Sequence, residues 1–242
     1  MDEVLESLAV QESFTREDFY NAYSLKLGET SEDAIAYALR RYLSDNRIIR
    51  VAWNKYALPG EKRVYRHSYS AEAMNLVTIL EGRYPDLLFQ VFEMTQLNSF
   101  VNHLIAHNTI FLSVEGELID FVFDSLKEDY PGLVMLKPGI EDYYRYVRDD
   151  EIVILRLPSG TPKGLNEQWQ SRLEKILVDI AIDKLISKIV PSSELHNIFE
   201  GAYERYLISR DVMMQYARRK GAEKKLEGFL AEYLPQLMGD KA

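Results

Sequence analysis

The sequence predicts an α/β (α+β) protein that begins with a winged helix-turn-helix and continues as an α/β domain with a helical C-terminal part. Within residues 1–66, three helical stretches precede two short strand-like runs that flank a tight turn. Strand-like and helical stretches then alternate over residues 67–160, which is typical of a sheet covered by helices. Residues 169–234 show helical patterns alone, so the predicted second domain extends over residues 67–242.

The first domain is predicted from local signals near its start. Apolar residues at 4, 5 and 8 indicate a short helix. Thr15 and Asp18 form a capping box that predicts the beginning of a second helix, which Gly28 ends. Thr30 is predicted to cap a third helix, and a hairpin with a turn at Trp53–Asn54 follows it.

The third helix and the hairpin contain the candidate DNA contacts. In a winged helix the third helix enters the major groove and the hairpin contacts the DNA backbone. Residues 40–66 have a net charge of +6, although the whole chain has a net charge of -9. We predict that Arg40, Arg41 and Arg47 contribute most to affinity. The full set of predicted contacts is Ser31, Tyr37, Arg40, Arg41, Arg47, Arg50, Asn54, Lys55, Lys62 and Arg63. Two alternatives stay open: a solvated charged surface, and a winged helix that makes protein contacts alone.

The second domain is predicted as a series of alternating elements. Strands are expected over residues 87–94, 109–115, 133–136 and 151–157, and helices over 71–84, 95–106, 118–130 and 141–147. The tail is expected to form helices over 169–190, 192–207, 212–220 and 222–234.

Residues 67–160 contain two weak signals for chemistry. His103 and His107 are four residues apart on a predicted helix, as paired metal ligands are, but no glutamate lies between them. Asp86 and Glu93 resemble the acid pair of restriction-type nucleases, yet Thr95 stands where those enzymes have a lysine. We therefore expect no enzymatic activity, no metal and no cofactor. The alternative is a nuclease-like or nucleotidyltransferase-related enzyme built on this region, or an inactive relative of one.

Composition indicates a cytoplasmic protein. The chain has no cysteine, which fits a reducing compartment. No apolar run reaches the roughly 18 residues of a membrane span, and the acidic start lacks the basic region of a secretory signal.

Two helical stretches carry a resemblance to a known family. They are Leu-Glu-Lys-Ile-Leu-Val-Asp at 173–179, and Ile-Phe-Glu-Gly-Ala-Tyr-Glu-Arg-Tyr at 198–206 followed by Tyr-Ala-Arg-Arg at 216–219. Together with the N-terminal winged helix, these stretches resemble the AbiEi-type antitoxins of abortive-infection (type IV) toxin–antitoxin pairs and the related DUF6577 proteins.

The resemblance implies a repressor of its own operon that is encoded beside a nucleotidyltransferase toxin. The winged helix would bind inverted repeats in its own promoter, as a monomer or a dimer, and residues 67–242 would contribute to antitoxicity. The net acidity of this chain differs from the strongly basic members.

Overall fold

A computed structural model describes most of the chain. The described ranges are 3–9, 11, 13–28, 31–45, 47–52, 54–58, 63–101 and 103–233. The chain divides into two units. Unit 1 is Met1–Tyr65 with Glu204–Ser209, and unit 2 is Arg66–Tyr203 with Arg210–Ala242. None of the described helices is long and apolar enough to cross a membrane.

Unit 1 has the topology of a winged helix. Its elements, in chain order, are α1 (Glu3–Leu8), β1 (Phe14–Thr15), α2 (Arg16–Leu27), α3 (Glu32–Ser44), β2 (Ile49–Ala52) and β3 (Lys55–Ala57). The three strands pair antiparallel in the order β1-β3-β2. The predicted helices and hairpin are present, and β1 is an additional strand of two residues.

The starts of α2 and α3 follow from capping chemistry. The Thr15 hydroxyl oxygen accepts from the Asp18 amide, and the Asp18 carboxylate accepts from the Thr15 amide at 2.7 Å, so the predicted capping box is confirmed. The Thr15 amide and the Thr15 hydroxyl both donate to the Asp18 carboxylate, and these two bonds lower the pKa of Asp18. The predicted cap of the third helix was wrong: the residue at that position is Ser31, whose hydroxyl oxygen accepts from the Ala34 amide, and Thr30 lies outside the described residues.

Aromatic rings fill much of the core of unit 1. Phe19 is fully buried, and its ring centroid lies 5.4 Å from that of Tyr42 and 5.8 Å from that of Tyr23. Ile35 and Leu39 of α3 pack into the same core. This buried stripe fixes which face of α3 is left for solvent.

A distant piece of chain completes unit 1. The Arg63 amide donates to the Arg205 carbonyl at 2.9 Å, and the Leu207 amide donates to the Arg63 carbonyl at 2.9 Å. The rings of Tyr65 and Tyr206 meet edge to face at 5.1 Å. No pattern in the sequence predicted this contribution, because it depends on pairing between residues far apart in the chain.

Unit 2 is built on a four-stranded mixed sheet. Its strands are β4 (Phe89–Glu93), β5 (Thr109–Glu115), β6 (Val134–Leu136) and β7 (Glu151–Leu157), in the order β4-β5-β7-β6. β5, β7 and β6 run parallel, and β4 runs antiparallel to β5. Helices α4 (Ala71–Arg83), α5 (Ile119–Asp129) and α6 (Ile140–Tyr146) alternate with them. The predicted α/β fold class is thus confirmed.

The predicted helix over residues 95–106 is largely absent. A 3-10 helix covers Met94–Ser99, and the described residues between Phe100 and Thr109 are not helical. The Asn98 side chain explains this local structure, because its carbonyl oxygen accepts from the Ile105 amide at 2.7 Å and closes a loop.

The predicted helix over residues 169–190 is broken into three parts. The Val91 amide donates to the Trp169 carbonyl at 2.7 Å and the Ser171 amide donates to the Val91 carbonyl at 3.1 Å, so the first residues form an isolated bridge to β4 in place of a helical turn. Helix α7 (Leu173–Ile182) and helix α8 (Ile186–Ile189) follow. Asp183 separates them, because its carboxylate accepts from the Leu185 amide at 2.9 Å.

A buried ionic network joins α7 to α10 (Arg210–Arg219), one of the three C-terminal helices. The other two are α9 (Ser192–Arg205) and α11 (Glu223–Tyr233). The Asp179 carboxylate accepts from Lys175 Nζ at 2.9 Å, from Lys220 Nζ at 2.7 Å and from the Tyr216 hydroxyl at 3.1 Å. Lys220 also donates to Asp183 at 2.6 Å. Burial by itself raises the pKa of Asp179, but Lys175 and Lys220 more than offset it and hold that pKa below its ordinary value.

This network predicts how the stability of unit 2 depends on pH. The lowered pKa of Asp179 stabilises the fold above the unfolded value of about 3.9, and this stabilisation is lost as pH falls through the folded pKa. Burial lowers the pKa of Lys220, but Asp179 and Asp183 raise it overall. The stabilisation that Lys220 contributes is therefore complete below its unfolded pKa of about 10.4 and is lost as pH rises through its higher folded pKa.

We expect the free energy of unfolding that the network contributes to be constant from about pH 5 to 9 and to fall below about pH 4. Urea unfolding of the wild-type protein and of Asp179→Asn across this range measures it, because the difference between the two isolates the network from other carboxylates. A difference that stays constant down to about pH 2.5 would contradict the assignment.

Candidate nucleic-acid interface

One face of α3 is open and presents an aromatic and two basic side chains. Ile35, Ala38, Leu39 and Tyr42 are buried, which directs the opposite positions to solvent. Tyr37 is 66% exposed although it is a large aromatic residue. Arg40 and Arg41 are exposed on the same side, one turn further along. Tyr37, Arg40 and Arg41 are therefore brought together as the sequence predicted.

The basic groups of this face are only weakly engaged. Arg40 Nε donates to the Ala36 carbonyl at 3.2 Å, and within the described part of the chain no carboxylate pairs with Arg40. Arg41 lies 3.6 Å from Asp45 in an exposed pair, which solvent screens strongly. Both guanidinium groups can exchange these contacts for phosphate oxygens at little cost.

Arg47 stands just beyond the end of α3. Its guanidinium carbon lies 4.4 Å from the centroid of the Tyr42 ring, at a distance typical of a cation–π contact. Tyr42 belongs to the buried stripe, so this contact holds an exposed cation against the body of unit 1. This position would suit a contact between the Arg47 guanidinium and the phosphate backbone of DNA.

The turn of the hairpin is tied to the beginning of α2. Asn54 adopts a φ of +53°, a conformation that asparagine tolerates better than most residues. Its side-chain oxygen accepts from the Arg16 amide at 3.2 Å. The side-chain NH2 group of the predicted contact Asn54 can still donate to a ligand. Ser31 likewise uses its hydroxyl oxygen to cap α3.

The remaining predicted contacts are only partly described. Arg63 is exposed, and its backbone pairs with residues 205–207 of unit 1. Arg50 and Lys55 belong to β2 and β3, but their side chains lie outside the described residues. Lys62 and the turn residue Trp53 lie outside them as well.

Sequence reasoning missed Arg16. This exposed residue begins α2, and its Nε donates to the Tyr20 hydroxyl at 2.9 Å. Because the Arg16 amide also bonds Asn54, this arginine lies beside the hairpin turn. The spacing of Arg16 and Tyr20, four residues apart on a helix, was the available signal.

The nuclease-like acids of unit 2 do not form one site. Asp86 precedes β4 and Glu93 ends it, so the length of the strand, roughly 3.3 Å per residue, separates them. Glu93 is fully buried and accepts from His67, from the Ser70 amide and from Asn108. Burial raises the pKa of Glu93, but these hydrogen bonds bring it below its ordinary value. Glu93 is thus a structural acceptor beneath α4.

The two histidines that were predicted to share a helix face do not lie on a helix. His103 lies in non-helical chain, and its Nδ1 is 3.0 Å from the Glu194 carboxylate. His107 is in non-helical chain too. Among the residues that the structure describes, no group of three or more His, Asp or Glu side chains could hold a metal ion.

The fold and the exposed α3 face define a protein with a winged helix joined to an α/β unit. The chain belongs to the family described as "Family of unknown function (DUF6577)", whose model matches residues 34–236. No curated protein matches the chain. Among solved structures, the chain is similar to the RV2827C protein from Mycobacterium tuberculosis, with 13% sequence identity and a TM-score of 0.24. That similarity covers 95% of this chain and 80% of the other. The DUF6577 part of the sequence resemblance is therefore confirmed.

Proposed function

We propose that this protein is a DNA-binding transcriptional regulator that represses its own promoter. The observation that carries the proposal is the exposed face of α3, where Tyr37, Arg40 and Arg41 stand opposite the buried stripe of a winged helix. In this fold the third helix is the element that reads base edges in the major groove.

Local charge supports binding to phosphate. Unit 1 exposes four arginines, namely Arg16 on α2, Arg40 and Arg41 on α3, and Arg47 just after α3. The chain as a whole has a net charge of -9, which limits attraction to DNA away from this surface. A basic patch on an acidic protein favours contact in one orientation, and phosphate contacts fix register while base contacts supply specificity.

We further propose that the regulator is the autorepressing antitoxin of an abortive-infection toxin–antitoxin pair and acts in the cytoplasm. The support is the resemblance of residues 173–179, 198–206 and 216–219 to the AbiEi-type antitoxins. On this proposal the partner is a nucleotidyltransferase toxin encoded next to the gene, and unit 2 contributes to antitoxicity. Coexpression with the product of that neighbouring gene tests this part separately from DNA binding.

The DNA-binding proposal predicts the effect of removing two arginines. Arg40→Ala with Arg41→Ala should weaken binding to the DNA upstream of the gene. The dependence of log K on log salt should also become shallower, by about 0.9 for every phosphate that the variant no longer neutralises. A gel shift titrated with salt measures both quantities.

The matched control removes two exposed cations from unit 2, Lys127→Ala with Arg145→Ala, and should leave affinity and slope unchanged. If the α3 variant folds normally and binds as the wild type does, α3 is not the recognition helix. If the wild-type protein fails to bind this DNA at low salt, the DNA-binding proposal is wrong.

A further inference from the structure

Unit 2 contains a cleft of about 780 Å³ at one end of its sheet. The cleft lies beside the last residues of β5 and β7, Glu115 and Leu157, and the first residue of β4, Phe89. In open sheets, the carboxyl ends of parallel strands are where ligands commonly bind. The volume is within the range of known ligand sites, about 300–1,000 Å³.

The lining of the cleft is acidic. Five carboxylates line it, namely Glu81, Asp86, Glu115, Glu117 and Glu167, against the two cations Arg156 and Lys163. In the described ranges, Glu81, Asp86 and Glu117 form no ion pair, and Lys163 already donates to Gln168 at 2.8 Å. An occupant with positive charge would satisfy these carboxylates, whereas an anion would be repelled.

Exposed apolar side chains continue from the mouth of the cleft. Leu88, Leu118 and Phe121 are 51%, 41% and 59% exposed. Backbone contacts connect them, because the Glu115 amide donates to the Leu88 carbonyl at 3.2 Å and the Leu118 amide donates to the Glu115 carbonyl at 3.2 Å. The Phe121 ring meets that of Tyr84, a lining residue, at 5.4 Å. Exposed apolar surface rimmed by polar groups is typical of interaction sites.

We propose that this acid-rimmed apolar surface docks a positively charged, amphipathic segment of another protein. Charge complementarity selects lysine or arginine side chains for the cleft, and Leu88, Leu118 and Phe121 select apolar side chains beside them. Leu118 and Phe121 lie outside the lining of the cleft, so an occupant that covers them is larger than a ligand that only fills it. The site is independent of the proposed DNA binding, because its residues belong to unit 2 and the DNA contacts to unit 1.

A model peptide of helical pattern made only of leucine and lysine tests the proposal. The full-length protein should bind this peptide, as measured by fluorescence anisotropy, and should not bind the same pattern made of leucine and glutamate. Asp86→Lys and Phe121→Ser should each weaken binding about tenfold or more, as expected for the centre of an interface. Raising the salt concentration should weaken the binding of the leucine–lysine peptide to the wild-type protein.

Matched controls use the same changes elsewhere in unit 2. Glu72→Lys lies in the first turn of α4, whose far end reaches the cleft, and Tyr146→Ser removes a ring that is 57% exposed on α6. Both should bind the peptide as the wild type does. Circular dichroism and the Tm of every variant establish that it is folded.

Three outcomes would overturn the proposal. The first is equal binding of the acidic peptide, and the second is unchanged affinity in both Asp86→Lys and Phe121→Ser. The third is evidence for a different occupant, which could take two forms. Complete displacement of the peptide by spermidine would indicate a small-cation site. Self-association of the protein that Asp86→Lys and Phe121→Ser abolish would indicate a second copy of this chain. None of these outcomes changes the interpretation of the gel shift, which tests unit 1.

Discussion

Replacing Asp179 by Asn should lower the free energy of unfolding of unit 2 by about 3–5 kcal/mol. The substitution keeps the shape of the side chain but removes the negative charge. Lys175 and Asp179 are each only 3% exposed, so Lys175 would remain buried without an anion. Lys220 keeps Asp183 at 2.6 Å, and the cost therefore arises mainly at Lys175. Urea unfolding followed by the fluorescence of the buried Trp169, in a Trp53→Phe background, reports on unit 2.

The matched control for this experiment is Asp129→Asn. Asp129 forms a bidentate pair with Arg83 near the surface, where solvent screens the charges, so the same chemical change should cost far less stability than Asp179→Asn. Adding Lys175→Met to Asp179→Asn should restore part of the stability, because the uncompensated charge is then removed. Equal losses for Asp179→Asn and Asp129→Asn would show that the buried network contributes little.

Replacing Phe19 by Ala should unfold unit 1 and abolish the proposed DNA binding while unit 2 stays folded. Removing a fully buried phenylalanine costs about 3–5 kcal/mol. A core of this size rarely supplies more than about 3–5 kcal/mol, so the substitution removes most of it. Hydrogen exchange should show α2 and α3 unprotected, with β5 and β7 protected as in the wild type.

The control lies on the same helix. Leu25 is 84% exposed on α2, so Leu25→Ala should leave both the hydrogen exchange of unit 1 and the gel shift unchanged. Loss of protection in β5 and β7 of Phe19→Ala would mean that the two units do not unfold separately.

Strong local patterns in the sequence predicted much of the fold. β5 and β7 were predicted with their observed ends because each is a seven-residue stretch with an apolar centre, bounded by polar or turn residues. The capping box at Thr15 and the buried stripe of α3 follow equally from local chemistry. The exposed positions of Tyr37, Arg40 and Arg41 could be predicted because helical periodicity alone assigns them a face.

The rest of the fold depends on contacts that no local pattern contains. The residues around Trp169 have a helical pattern, but an isolated bridge between Gln170 and Val91 replaces the helix there. The cleft in unit 2 is lined by segments that are distant in sequence. Its excess of carboxylates could not be predicted, because only the fold brings those segments together. Asp86 and Glu93 do not form one site because Asp86 precedes β4 and Glu93 is its last residue.

The contribution of Glu204–Ser209 to unit 1 affects the order of events during synthesis. The ribosome makes the winged helix first, but the strand partner of Arg63 emerges only after the intervening residues 66–203 have been translated. At about 5–20 residues per second, this delay is on the order of ten seconds. A nascent chain that stalls within unit 2 would therefore hold an incomplete winged helix, and the complete unit 1 would be a property of nearly full-length protein.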